Sequence, residues 1–238
     1  MTTVTDSQNN GSSAVYHVPA LLRECIDGLD IKPDGTYVDV TFGGGGHSRA
    51  IIAGLGDKGR LFSFDQDMDA YANRIDDPRF TFVHSNFRFL RNFMRYYGVE
   101  KADGIMADLG VSFHHFDTAE RGFSFRADAP LDMRMNRDGA LDANTVLNTY
   151  SDTDLGRVLT VYGDLRRPGP IVKAILRARA NGEIATTGQL LDVIRPAVNP
   201  RQEKKELAQV FQALRIEVNG EMQALADFLQ ASTKVLRP

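Results

Sequence analysis

The sequence predicts an α/β protein, an open parallel sheet covered by helices, with an all-α segment inserted after the fourth strand. Three observations predict it. Short apolar runs, each followed by polar residues or glycine, alternate with helix-length stretches over the first half of the chain. The first of these runs leads into a glycine-rich turn and then a helix. After Asp108 the alternation stops, and a long aperiodic stretch gives way to helices without strands.

The strand-length runs are residues 36–42, 59–64, 80–84 and 103–107. They are rich in Val, Ile, Phe and Thr and stop at Gly43, Asp65, Ser85-Asn86 and Asp108. Helical stretches are expected at 48–55, 68–75 and 90–97. Residues 110–139 are rich in Arg, Phe, Asp and Gly and read as a long structured loop, a kind of segment that often carries function. Ser151 is a good N-cap, with Asp154 at the third helical position. Ile171, Val172, Ile175 and Leu176 form an apolar stripe that Asn181-Gly182 ends. Leu207, Val210, Phe211 and Leu214 form a second stripe, and Met222, Leu225 and Leu229 a third. These patterns divide the chain into a polar, disordered lead-in at 1–14, a sheet domain at 15–116 and 213–238, and a helical insertion at 117–212.

A chain of 238 residues, 42% hydrophobic and 25% charged, suits one large globular domain or two small ones. Cys25 is the single cysteine, so no intramolecular disulfide can form, and the thiol reads as a small buried apolar group. No apolar run nears the roughly 20 residues that span a bilayer. The beginning lacks the basic flank and apolar stretch of a signal peptide. A cytoplasmic protein that does not engage membranes is expected. The net charge of −3 argues against a globally basic nucleic-acid binder. Yet residues 156–215 hold 11 Lys or Arg against five acids, either a footprint for phosphate or a set of solvated helix faces.

The candidate ligand site begins at Asp39-Val-Thr-Phe-Gly43-Gly44-Gly45-Gly46-His47-Ser48. Glycines there permit positive φ and close approach of backbone amides to a ligand, and a helix N-terminus favours a carboxylate or phosphate. Plain tight turns use glycine too, so the context matters. Asp65 ends the second run about 20 residues further on, where an acid accepts the hydroxyls of a ribose. Asp108 ends the fourth run, and ligands of open α/β sheets bind beyond the carboxyl ends of the strands. Phe87, after the third, either packs on an adenine face or makes a core contact. A nicotinamide cofactor and S-adenosylmethionine both fit these residues. The turn departs from Gly-x-Gly-x-x-Gly, and no Gly-Lys-Ser phosphate motif is present, which argues against an ATPase.

Five motifs then occur in order: Thr41-Phe-Gly-Gly-Gly-Gly-His-Ser48, Asp108-Leu-Gly-Val-Ser112, Arg121-Gly-Phe-Ser-Phe125, Pro130-Leu-Asp-Met-Arg-Met135 and Phe211-Gln-Ala-Leu-Arg-Ile216. Together, over about residues 16–238, they resemble the ribosomal RNA small subunit methyltransferase H family, also called MraW. The resemblance implies a class I S-adenosylmethionine-dependent methyltransferase sheet, Rossmann-like, with an inserted helical domain for RNA. It implies methylation of N4 of a cytosine in the decoding region of 16S ribosomal RNA, with the small ribosomal subunit as partner. It leaves the oligomeric state, a homodimer included, open. By position, the family's cofactor contacts fall on Gly45, Gly46, His47, Asp65, Phe87, Asp108 and His115. His115 stands where glutamine is common, and residues 113–116 are bulkier and more aromatic than the family pattern. The tract Tyr162-Gly-Asp-Leu-Arg-Arg167 also departs from that pattern. The family continues past a Leu-x-Pro-Gly-Gly segment, so the fifth to seventh strands are expected to be missing from this chain, which ends at Pro238.

Methyl transfer to an exocyclic amine is mainly a positioning task with a proton to remove. Asp108 and Asp132 are the candidate proton acceptors, and Ser112 with the 121–125 loop is expected to frame the base. Phe113, Phe123 and Phe125 are candidates for stacking on an unstacked target, or for a small aromatic core. Two other classes compete: a small-molecule methyltransferase or dehydrogenase, and a non-catalytic RNA-binding or ribosome-assembly protein. Salt-dependent RNA affinity separates the former from the RNA readings, and methyl transfer separates the latter.

Overall fold

A computed structural model describes residues 19–111 and 118–238. Ser112, Phe113, His115 and the expected lead-in at 1–14 lie outside the described residues. The sheet holds β1 (Thr36–Asp39), β2 (Arg60–Asp65), β3 (Phe80–His84) and β4 (Gly104–Met106) in the order β3-β2-β1-β4. All pairings are parallel, with Val38 level with Phe62 on one side and Ile105 on the other. The order reverses at β1, which opens a crevice at the carboxyl ends between β1 and β4.

Each expected strand is present: β3 matches its run, β1 and β4 are shorter than theirs, and β2 is shifted by one residue to end at Asp65. The central strands β1 and β2 are buried on both faces, as a parallel sheet requires, while the edge strand β3 is mostly half-buried. One face packs Tyr37, Leu61 and Met106 against Ile51 and Ile52 of α2 (Gly46–Gly54) and the half-buried Cys25, Ile26 and Leu29 of α1 (Leu22–Leu29). The sequence reading did not identify α1. The other face packs Val38, Phe62 and Phe64 against Leu90 and Met94 of α3 (Leu90–Tyr96) and against the last helix. The helix expected at 68–75 is a 3₁₀ turn, Met68–Asn73, capped by the Asp67 carboxylate, which accepts from the Asp69 amide at 3.0 Å. Cap and tight turn suit a short link better than an amphipathic helix.

A separate core lies beyond β4. It is built by α4 (Ala143–Thr149), α5 (Asp152–Val161), α6 (Gly169–Arg179), α7 (Thr187–Ile194) and α8 (Glu203–Asn219). Ser151 caps α5, accepting from the Asp154 amide at 3.1 Å. Thr186 and Gln189 form a full capping box on α7. The stripes expected on α6 and α8 face inward, with Leu176 partly buried. Phe123 is buried in this core, so it is not a stacking platform for a base, and Phe125 is partly buried against it, edge-on to Phe211 at 5.4 Å.

The expected boundary at 212/213 falls inside α8, whose Ala213 and Leu214 belong to the helical core. The chain changes core at Gly220, in left-handed geometry with φ 56°, and α9 (Glu221–Val235) returns to the sheet. There the buried face is Ala224, Phe228, Ala231 and Val235. The Met222/Leu225/Leu229 stripe is therefore corrected: Met222 and Leu229 are exposed and Leu225 is partly buried. A run of small residues, Ala224 and Ala231, marks the close packing that the larger side chains hid. After α9, Leu236 bridges Ala102 in parallel, with Arg237 N–H donating to Ala102 O at 3.0 Å, beside β4.

The two cores are joined by a buried cation. Arg121, 3% exposed, donates to Asp67 Oδ2 at 2.8 Å and Asp69 Oδ2 at 3.0 Å, both in the link after β2. Its other terminal nitrogen donates to the carbonyls of Arg134 at 2.8 Å and Met135 at 3.1 Å. Asn219, at the end of α8, accepts from Met135 N–H at 2.7 Å and donates to Met133 O at 2.8 Å. Arg121→Ala removes the buried cation that faces the Asp67 and Asp69 carboxylates and is expected to cost about 3–5 kcal/mol. Urea denaturation of the two proteins measures it, and a loss below about 1 kcal/mol would show that the clamp is not structural.

Candidate cofactor crevice

The floor of the crevice is a chain of hydrogen bonds running outward from a buried carboxylate. Asp39, at the end of β1, is fully buried. Ser48 Oγ, in the first turn of α2, donates to Asp39 Oδ2 at 2.6 Å. Ser48 spends its one proton there, so Ser63 on β2 donates to Ser48 across 2.7 Å. Thr41 holds the other oxygen, Asp39 Oδ1, by its amide at 3.0 Å and its hydroxyl at 3.4 Å. The same Thr41 oxygen accepts from Asp108 N–H at 2.7 Å. One threonine thus ties the glycine turn to the exposed end of β4 across the point where the strand order reverses. Burial pushes the Asp39 carboxyl above its ordinary value, against the lowering effect of the Ser48 and Thr41 hydrogen bonds.

The glycine turn is laced to β2. Gly43 N–H donates to Asp65 Oδ2 at 2.9 Å, and Asp67 N–H donates to Asp65 Oδ1 at 2.9 Å. Two amides therefore fix the Asp65 carboxylate at the end of β2. Asn73 closes the loop by donating to Gly43 O at 3.1 Å. Gly45 has φ 77°, and a Cβ there would meet the Phe42 ring at 3.0 Å, so the turn demands glycine at this position. A Cβ at Gly43 or Gly44 would meet nothing within 4 Å, so this part of the turn faces open space. The next strand end is joined on by Asn86, which donates to Gln66 Oε1 at 2.8 Å.

The residues expected to contact a cofactor come together at these strand ends, with differing surroundings. Gly45 and Gly46 begin α2, and Gly46 is overlain by Pro19, which would stand 2.2 Å from a Cβ. His47 is buried, with Nε2 3.1 Å from Ala20 O, so its ring also holds the 19–20 segment against α2. Phe87 is half-buried and edge-on to Phe228 at 5.5 Å. Asp65 is half-buried and Asp108 is exposed. Ser112 and His115 lie outside the described residues.

Asp132 belongs to the 130–135 loop and is bonded within it. Arg134 grips it with two donors, at 2.7 and 2.9 Å. Burial raises its carboxyl, but the Arg134 hydrogen bonds outweigh that and hold it below the usual aspartate range. Sequence reasoning missed Thr41, Ser63, Gln66, Asn73 and Asn86 as site residues. Thr41 opens the 41–48 motif, but no role was assigned to it there. The others are single polar residues with no pattern around them. Among the described residues, no group of His, Cys, Asp and Glu is placed to hold a metal, and no helix is long and apolar enough to cross a membrane.

A 3-2-1-4 parallel sheet, a glycine turn after β1, an acid ending β2 and a second acid after β4 define a class I methyltransferase fold. Comparison with known proteins narrows it. Residues 14–238 match the MraW methylase family, and the chain belongs to that family. It is 56% identical over 223 residues to the ribosomal RNA small subunit methyltransferase H of Bacteroides thetaiotaomicron, covering 94% of this chain and 73% of that protein. It is 55% identical over 227 residues to that of Porphyromonas gingivalis, with the same coverage. With that of Christiangramia forsetii it is 50% identical over 223 residues, 94% of this chain and 74% of the relative.

The buried Asp39 gives a pH signature. Its folded value lies above the unfolded value of 3.8, so between the two the folded state binds more protons. Its stabilising contribution is full below the unfolded value and is lost as pH rises through the folded one. Asp39→Asn is expected to lack this decline, seen by comparing denaturation midpoints of both proteins from pH 3 upward; parallel profiles would refute it.

Proposed function

We propose that this chain transfers a methyl group from S-adenosylmethionine to N4 of a cytosine in the decoding region of 16S ribosomal RNA. Family membership supports methyl transfer, and the relatives named above carry the ribosomal RNA assignment. The observation that carries the site assignment is the joining of the Gly43–Gly46 turn, Asp65 and Asp108 by direct hydrogen bonds and through Thr41.

The residues present fit the cofactor. Asp65, oriented by two amides, suits the ribose hydroxyls, since a carboxylate offers about four acceptor positions. The open part of the glycine turn and the first-turn amides of α2 suit the amino-acid carboxylate. Phe87 bounds the adenine side. When bound, S-adenosylmethionine supplies an electrophilic methyl carbon on a sulfonium sulfur. The chain's own task is to hold an amine nitrogen in line with it and to take a proton. Asp108 is the proposed acceptor: it is exposed at the crevice and its backbone is fixed by Thr41. Asp132 is the weaker base, because Arg134 already neutralises it. Its proposed part is to shape the 130–135 loop, with Ser112 framing the base and His115 completing the cofactor contacts.

Calorimetry on the chain and on Asp65→Ala tests the crevice. Loss of two charge-assisted hydrogen bonds is expected to weaken S-adenosylmethionine binding at least tenfold. Methyl transfer to small ribosomal subunits, with the product nucleoside identified by mass spectrometry, tests the rest. Asp108→Ala is expected to lower the rate by 100-fold or more, in the range of a lost general base. Normal transfer by Asp108→Ala, or a methyl group on any atom but cytosine N4, would overturn the assignment.

A further inference from the structure

We infer that the outer face of α3 is a binding surface for the single-stranded RNA next to the target nucleotide. This rests on the proposal that the chain acts on RNA, and it adds a surface outside the helical insertion.

The helix buries Leu90 and Met94 against the sheet. Its solvent side carries Arg91 and Arg95 one turn apart on one flank, and Phe89 and Tyr96 on the other flank. Tyr96 is 79% exposed and Phe89 46%, and both are large apolar side chains in water. The chain from Asn86 to Val99 contains three arginines and no acid, within a protein of net charge −3. Among the described residues, Arg88 is the one of the three in an ion pair, with Asp227 of α9. Arg91 and Arg95 are exposed and enter no ion pair among the described residues. Arg88 also lies 5.6 Å from the centre of the Phe89 ring.

Arginine beside exposed aromatic rings is the chemistry that holds single-stranded nucleic acid: rings stack on bases while guanidinium groups meet phosphates. Position points the same way. α3 starts at Leu90, after the 3₁₀ turn Phe87–Phe89 that follows the carboxyl end of β3, so this face leads away from the crevice mouth. A strand whose target base entered the crevice would have its neighbouring nucleotides at hand for this face. The basic excess of the insertion is, by contrast, partly spent. Arg157, Arg195 and Arg215 pair with Glu217, Glu203 and Glu221.

The test is fluorescence anisotropy with a labelled single-stranded fragment of small-subunit ribosomal RNA, over a series of salt concentrations. The proteins are the parent chain, the double variant Arg91→Glu/Arg95→Glu, Tyr96→Ala and Tyr96→Phe. Losing two phosphate contacts is expected to reduce the slope of log affinity against log salt by about 1.4. Affinity at low salt should fall at least tenfold. Tyr96→Ala is expected to weaken binding about fivefold or more with the slope unchanged, and Tyr96→Phe to restore it. Calorimetric binding of S-adenosylmethionine should be the same in all variants, which reports an intact crevice. Parent-like RNA affinity and slope in the double variant would overturn this inference alone. A parent chain that binds no RNA would overturn it together with the RNA reading of function. Variants that change only the oligomeric state, by light scattering, would overturn it in favour of a protein interface.

Discussion

Arg121 brings a full positive charge to a place water does not reach, and two facing aspartates make that tolerable. An unpaired buried cation would cost several kcal/mol, so the guanidinium stays only where Asp67 and Asp69 meet it. Those acids belong to the sheet domain, while Arg121 and the carbonyls it holds belong to the insertion. The pairing sets the seat of the helical core on the link after β2, which also carries Asp65. Four hydrogen bonds from one planar group fix direction as well as distance, which lysine could not do.

The crevice floor follows a related logic with a different sign. Asp39 is buried with its hydrogen-bonding capacity taken up by Ser48 and Thr41. Such a group adds little stability for the desolvation it suffers. What it supplies is position. Thr41 cannot turn away without leaving Asp39 short of a donor, and Asp108 N–H is tied to Thr41. The exposed acid at the end of β4 is thereby placed by a buried acid at the end of β1. Asp65 is placed in the same way, by amides from the turn and from its own strand end.

The fold was largely legible in the sequence because a parallel sheet writes itself as apolar runs with polar stops. All four strands follow that rule, and Gly43–Gly46 and Asp65 announced the crevice by type and spacing. Three features were missed. α1 does carry an apolar stripe, Leu22, Cys25, Ile26 and Leu29 at i, i+3, i+4 and i+7, but it is only two turns long and the sequence reading passed over it. On α9 the packed face uses Ala224 and Ala231, and size misled where closeness mattered. The 121–125 motif suggested a loop over the substrate, but Phe123 is a core side chain, Phe125 packs partly buried against that core, and Arg121 is a clamp. Linear motifs show which residues are required together. They do not separate a residue that touches a ligand from one that holds the residue that does.

The strand ends also explain why one small sheet can serve several partners at once. β1 and β2 carry the turn and the acid assigned to the cofactor, β4 carries the acid assigned to the target amine, and β3 leads into Phe87 and the cationic face of α3. Because the order is β3-β2-β1-β4, the residues proposed for the cofactor fall at the central strands and those proposed for the nucleic acid at the outer ones. The insertion, clamped at Asp67 and Asp69, rises from the β4 side and ends in α8, whose Asn219 holds the 133–135 backbone. A target base would then enter between surfaces set by separate cores, and the Arg121 clamp, more than any single contact in the crevice, fixes the distance between them.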